Sequence, residues 1–234
     1  MELHFDQELS DLKDELLRLA SLAEASVAEA LKALVGQDAR LARHVIKQDS
    51  ALDRLEVDLD ARCIELIALR QPKARDLRMI TMTMRIGTEL ERVGDQAVSI
   101  ANRVIELNQT PLAKPLVDIP RMAEIAQAMI RDALDAFVFA KTDRAREIIQ
   151  RDADMDRLYH QVQRELTELM EKSSANIKSA LCLMNIARKL ERIGDHATNI
   201  AEEVIFLYEG QDVRHQHSNG ANPDGSDSPS HPVG

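Results

Sequence analysis

Tryptophan is absent from this chain of 234 residues, and aromatics of all kinds make up 3% of it. So few of the residues that favour pleated sheet leave little material for strands and turn attention to helices. Cysteine occurs twice, at Cys63 and Cys182, in separate apolar-periodic segments and without CxxC spacing. That pattern argues against a disulfide framework, thiolate ligands or a redox pair, and predicts reduced core thiols in a cytoplasmic protein. No run of roughly 18 apolar residues exists, so no segment is expected to cross a membrane. Met1 is followed by an acidic, amphipathic stretch, not the basic-then-apolar order of a signal peptide. Positive charge is also short. A formal net charge of −10 disfavours a nucleic-acid binder, which needs a basic face to neutralise phosphates.

Against these absences, apolar residues make up 44% and charged residues 30%, the balance of a globular chain with real cores. The seven prolines stand at 72, 111, 115, 120, 223, 229 and 232, separated by long stretches rich in Ala, Leu, Glu and Arg. This predicts an all-α protein punctuated at its turns. Apolar residues recurring by three and four place helices over about 6–35, 38–70, 75–108, 121–140, 142–172 and 176–208. On the second helix the expected seam is Leu41, Val45, Leu52, Leu55, Leu59, Leu66 and Leu69. Residues 109–120 hold three prolines and read as a linker.

The second half rewrites the first. IKQDSALDRL at 46–55 matches IQRDADMDRL at 149–158, an offset of 103, and LERVGDQA at 90–97 matches LERIGDHA at 190–197, an offset of 100. The fold expected is therefore two tandem three-helix bundles related by an internal repeat, over 1–110 and 117–212. From 213 to 234 the composition turns to Gly, Pro, Ser and Asp, which marks a disordered tail; its His215 and His217 are read as solvated, not as an HxH metal site.

Acidic residues fall in a pattern that the duplication keeps. On the third helix Glu91 and Asp95 lie four apart beside the seam, roughly 6 Å along the axis. Glu191 and Asp195 take the same places in the second repeat, and Asp49/Asp53 and Asp152/Asp156 form the matching pairs on the second and fifth helices. Rotation of the second helix would bring Asp49 nearer the inter-helix groove than Asp53. Glu56 and Asp60 are not kept, becoming Tyr159 and Gln163. If each hairpin folds about Pro72 or about Ser173–Ser174, Asp49 meets Asp95, Asp53 meets Glu91, Asp152 meets Asp195 and Asp156 meets Glu191. Four carboxylates at one height repel unless cations join them. Hard oxygen donors of this kind suit Fe, Mn, Mg, Ca or Zn. The competing reading is a salt-bridged face laced by Arg54, Arg92, Arg157 and Arg192.

Gly94 and Gly194 sit between the acids, read first as devices for close helix packing and second as clearance for a ligand. His196, whose counterpart is Gln96, is read as a surface residue. A ferritin-type di-iron enzyme would need an ExxH element, which neither motif carries, so catalysis is not expected. A helical scaffold with merely solvated acids stays open as the alternative.

LERVGDQA and LERIGDHATNIAEEVIFLYEG, set in two tandem three-helix bundles, resemble the PhoU family of phosphate-signalling regulators from about residue 5 to 213. In that family repeated E(D)xxxD motifs bind multinuclear metal clusters. The resemblance implies metal ligation by Asp49, Asp53, Glu91, Asp95, Asp152, Asp156, Glu191 and Asp195, all of which fit the pattern. It further implies a cytoplasmic, often dimeric adaptor between the ATPase of the phosphate ABC transporter and the phosphate-sensing histidine kinase. Such an adaptor damps the starvation response when phosphate is plentiful.

Overall fold

The computed structural model describes residues 2–113 and 117–214, and among these there are six α-helices and no strand. They are α1 (Glu2–Gly36), α2 (Ala39–Arg70), α3 (Ala74–Leu107), α4 (Asp118–Phe139), α5 (Thr142–Lys172) and α6 (Ile177–Glu209). A single 3₁₀ turn, Ser174–Asn176, precedes α6. No helix among the described residues is long and apolar enough to cross a membrane. The predicted tail lies outside the described residues from 215 onward, as do its two histidines. Val213, still described, packs against the core.

Local chemistry sets the boundaries. Asp38 caps α2, its Oδ1 accepting from the amides of Arg40 (2.8 Å) and Leu41 (3.0 Å). Gly210 ends α6 in the left-handed region at φ 72°, where a side chain would be strained. The linker is shorter than its prolines suggested. Pro120 lies in the first turn of α4, where no intrahelical partner is needed for the missing N–H.

α1–α3 form one three-helix bundle and α4–α6 the other, as the internal repeat predicts. Their buried side chains merge into one continuous core because α3 packs along α6 and α1 touches α4. Between α3 and α6 the contacts run in opposite directions. Arg85 Nη1 donates to Glu203 at 3.0 Å, and Arg78 lies beside Gly210. Across α1 and α4, Lys13 donates to the Val138 carbonyl at 3.1 Å. Tyr208 donates to the Phe137 carbonyl at 2.7 Å, holding α6 to the end of α4. Cys63 and Cys182 are free and buried, and burial pushes the Cys63 thiol up to about 12.

The seam of α2 differs from expectation at one position. Its buried residues Val45, Leu52, Leu59, Cys63 and Leu66 follow a stripe stepping by four and three. The next step falls on Arg70, so Leu69 is 68% exposed. Arg70 in turn makes a two-point pair with Glu8, at 2.8 and 2.7 Å. The same stripe passes through Asp49 and Glu56, both half-buried. α5 repeats it through Ile148, Met155, Val162 and Leu166, passing through Asp152 and Tyr159.

Candidate cation-binding carboxylate clusters

Helical phase decides which acids approach the core. Asp49, Asp152, Glu91 and Glu191 are half-buried at the lips of their hairpins, while Asp53, Asp156, Asp95 and Asp195 stand exposed beside them. The hairpin registers bring the predicted sets together. Burial, then the charges of Asp53 and Asp95, raise the Asp49 carboxyl above its ordinary value. Burial, then Asp95, Glu56 and Asp53, do the same to Glu91. In the second repeat burial comes first again, followed by Asp195, Asp156 and Glu191, and Asp152 is pushed up to about 6. Glu191 is raised by burial and by Asp195 and Asp156, and Asp195, exposed yet partly desolvated by its neighbours, by that desolvation and Asp156. Each repeat therefore gathers its four predicted acids into one mutually repelling cluster, and the two clusters sit on separate hairpins.

The lacing arginines do not lace them. Arg54 Nε donates to the Ser50 carbonyl at 3.0 Å, Arg92 pairs with Glu89 at 3.0 Å, and Arg157 pairs with Asp154. Arg192 lowers Glu191 and Asp195 by its charge without reaching either. Among the described residues none of the eight carboxylates has a basic partner. The salt-bridged face, offered as the competing reading, is therefore not what these residues form.

Asp152 is the most exacting position. Its Oδ1 is buried and lacks a hydrogen-bond partner, and so does the nearby Thr198 hydroxyl, whose influence on the carboxyl is slight. An orphaned buried acceptor of this kind costs about 1–3 kcal/mol, more if charged, and a cation would satisfy it. The donor chemistry fits a hard cation. As the side chains stand, no three carboxylate, imidazole or thiol groups among the described residues are drawn close enough to clasp an ion.

Of the two acids that the second repeat does not keep, Glu56 belongs to the first cluster, raising Glu91, and Asp60 stands one turn beyond it. Burial, then Asp60, raise Glu56, with Asp53 adding to it, and burial raises Asp60. Their absence from the second repeat hid them. The stripe through Val45, Asp49, Leu52, Glu56 and Leu59 was the signal that could have shown Glu56.

The glycines divide. A Cβ on Gly94 would stand 2.9 Å from Leu52 Cδ1 and 3.3 Å from Cδ2, so a side chain there would push the buried Leu52 aside where α3 meets α2. On Gly194 it would meet Met155 Cγ at 3.4 Å and Asp152 Oδ1 at 3.6 Å, ordinary contacts beside the acid cluster. G94A is expected to destabilise by about 1 kcal/mol despite the gain in helix propensity. G194A should be neutral or mildly stabilising, and urea midpoints of the two variants check the contrast.

His196 needs correction: it is not a surface residue. Its side chain is 14% exposed, and Nδ1 lies 2.7 Å from Oε2 of Glu89, which also accepts from Asn199 at 2.9 Å. Antiparallel packing of α3 on α6 turns position 196 into the inter-bundle seam. The counterpart Gln96 is 8% exposed, so burial of both positions was the missed signal.

Architecture and site together define an all-α protein of two fused three-helix bundles, each with an unpaired carboxylate cluster on its second hairpin. The PhoU domain model matches the chain twice, at residues 16–104 and 119–204. A phosphate-specific transport system accessory protein PhoU homolog of Aquifex aeolicus is 44% identical over 90% of this chain and 96% of its own length. The crystal structure of PhoU from Pseudomonas aeruginosa superposes with a TM-score of 0.86 at 37% identity, covering 88% of this chain and all of that one. That of the phosphate transport system regulatory protein PhoU from Streptococcus pneumoniae gives 0.83 at 30% identity, covering 89% and 99%. The chain belongs to the PhoU family.

Proposed function

We propose that this protein is a cytoplasmic, metal-binding regulator of phosphate uptake and phosphate-starvation signalling. It acts as an adaptor between the ATPase of a phosphate ABC transporter and a sensor histidine kinase, works as a homodimer, and damps the response when phosphate is plentiful. The observation that carries the reading is full-length likeness to proteins named for the phosphate transport system, with the helical repeat covering both domains. Those names describe accessory and regulatory roles and give no support to catalysis.

Asp49, Asp53, Glu91 and Asp95 in the first repeat, and Asp152, Asp156, Glu191 and Asp195 in the second, are the proposed metal ligands. Bound Fe, Mn, Zn, Mg or Ca would supply positive charge that neutralises acids otherwise repelling across a hairpin. With metal bound, the half-buried acids would hold α2 to α3 and α5 to α6 at one height, while the exposed ones would set the charge seen by a partner. Deleting the gene is expected to leave phosphate-starvation genes expressed in high phosphate. Unchanged repression in the deletion strain would refute the adaptor role.

A second reading, a helical scaffold whose acids are merely solvated, draws on the open spacing of the clusters, in which no three ligands yet converge. Metal content of the purified protein separates the two.

A further inference from the structure

The outer faces of α2 and α5 occupy equivalent places in the two repeats and have diverged in opposite directions. On α2, Val57 and Ile64 are 62% and 59% exposed, with Ala61 exposed between them. They form an apolar stripe seven residues long, about 10 Å, with Asp58 and Glu65 along one edge. The equivalents of Val57, Ala61 and Ile64 on α5 are His160, Arg164 and Thr167, so the second repeat has no such stripe.

Beside that face of α5, a groove of about 670 Å³ opens between α4 and α5. Ile125 and Leu158 line it together with Arg121, Arg157, His160 and Arg164 and one acid, Asp154. Arg157 is paired with Asp154, whereas Arg121 and Arg164 have no carboxylate partner among the described residues. The equivalent groove between α1 and α2 has the other sign, with Glu15, Asp58 and Glu65 against Arg18 and Arg62. Arg62 is already committed to Asp11 and Glu15. A groove that is net basic and partly apolar is out of character on a chain of net charge −10.

We propose that these are the two halves of one contact between copies of this chain, the outer face of α2 in one copy seating in the α4–α5 groove of another. Val57 and Ile64 cover Ile125 and Leu158, while Asp58 and Glu65 face Arg121 and Arg164. Each contact joins different patches, and the dimer closes when two such contacts form about a two-fold axis, each copy offering its α2 face to the other's groove. This rests on the homodimer of the proposed function and assigns its surfaces.

Sedimentation equilibrium of the full chain at increasing concentration and salt tests it, with circular dichroism confirming that each variant is folded. Wild type is expected to self-associate, less at high salt. D58K/E65K and R121E/R164E should each weaken self-association roughly tenfold or more. Mixed together they should recover it, because the basic face of one variant then meets the acidic groove of the other. A wild-type dimer unchanged in both variants, or no recovery on mixing, overturns the assigned surfaces while leaving the homodimer intact. A wild type that stays monomeric throughout overturns both.

Discussion

D152N is expected to melt above wild type in chelator-treated protein at pH 7 and below it once metal is restored. The Asp152 carboxyl is pushed from an ordinary 3.8 to about 6, by burial first and then by Asp195, Asp156 and Glu191. A folded-state value raised above the unfolded one means that the folded protein binds the extra proton between those limits. The stability this confers is present at low pH and is lost as pH rises from about 4 through 6. At pH 7 the metal-free protein therefore carries a repulsive charge that Asn lacks. Allowing for partial solvent screening, the relief is about 1–2 kcal/mol, or roughly 3–6 °C in a domain of this size. Lowering the pH from 7 to 5 should also stabilise metal-free wild type more than D152N, which keeps the other raised carboxyls but lacks the one raised furthest. With metal bound, the same carboxylate becomes a ligand, and its loss removes stabilisation by mass action. Differential scanning calorimetry of the two proteins, with and without chelator, reads the inversion. A variant less stable in both conditions would show that Asp152 is a structural acceptor and no ligand.

E89A should be among the most damaging single substitutions in the chain. Glu89 is 13% exposed and binds His196 and Asn199 across the junction of the bundles, and Arg92 one turn along its own helix. Burial raises its carboxyl, yet the hydrogen bonds from His196 and Asn199, with the charges of His196 and Arg92, outweigh that and hold it below the ordinary range. The sign is opposite to that of Asp152. Here the stability is present above the unfolded value of about 4.5 and fades as pH falls through the lower folded one. Truncation strands the largely buried His196 imidazole and breaks the Asn199 bond, at a cost of about 2–4 kcal/mol at pH 7. Urea unfolding at pH 7 and pH 4 checks this: the loss should be large at the first and smaller at the second. Unfolding of E89A in two steps would show that this latch is what joins the repeats into one cooperative unit.

Much of this was legible in the sequence for a definite reason. Proline positions and three–four periodicity fix helices of thirty-odd residues, and the duplication lets each repeat check the other. The register that sets Asp49 beside Asp95 and Asp152 beside Asp195 followed from hairpin symmetry alone. What escaped notice depends on the third dimension of packing. Nothing in an isolated α6 shows that His196 turns towards α3, because the two helices come from different repeats. The membership of Glu56 is hidden by the duplication, which replaces it with Tyr159, although its helical phase matches that of Asp49. Leu69 was misplaced because a seam stepping by three and four reaches Arg70 instead.

The clusters themselves are the centre of the account, and metal content tests them most directly. Protein purified without chelator and analysed for elements should carry divalent or trivalent metal in both repeats. E91A/D95A should lose about half of it, while the cluster of Asp152, Asp156, Glu191 and Asp195 keeps the rest. Metal-free wild type on which no divalent ion raises the melting temperature would contradict the cation-site reading and leave eight solvated acids on a helical scaffold.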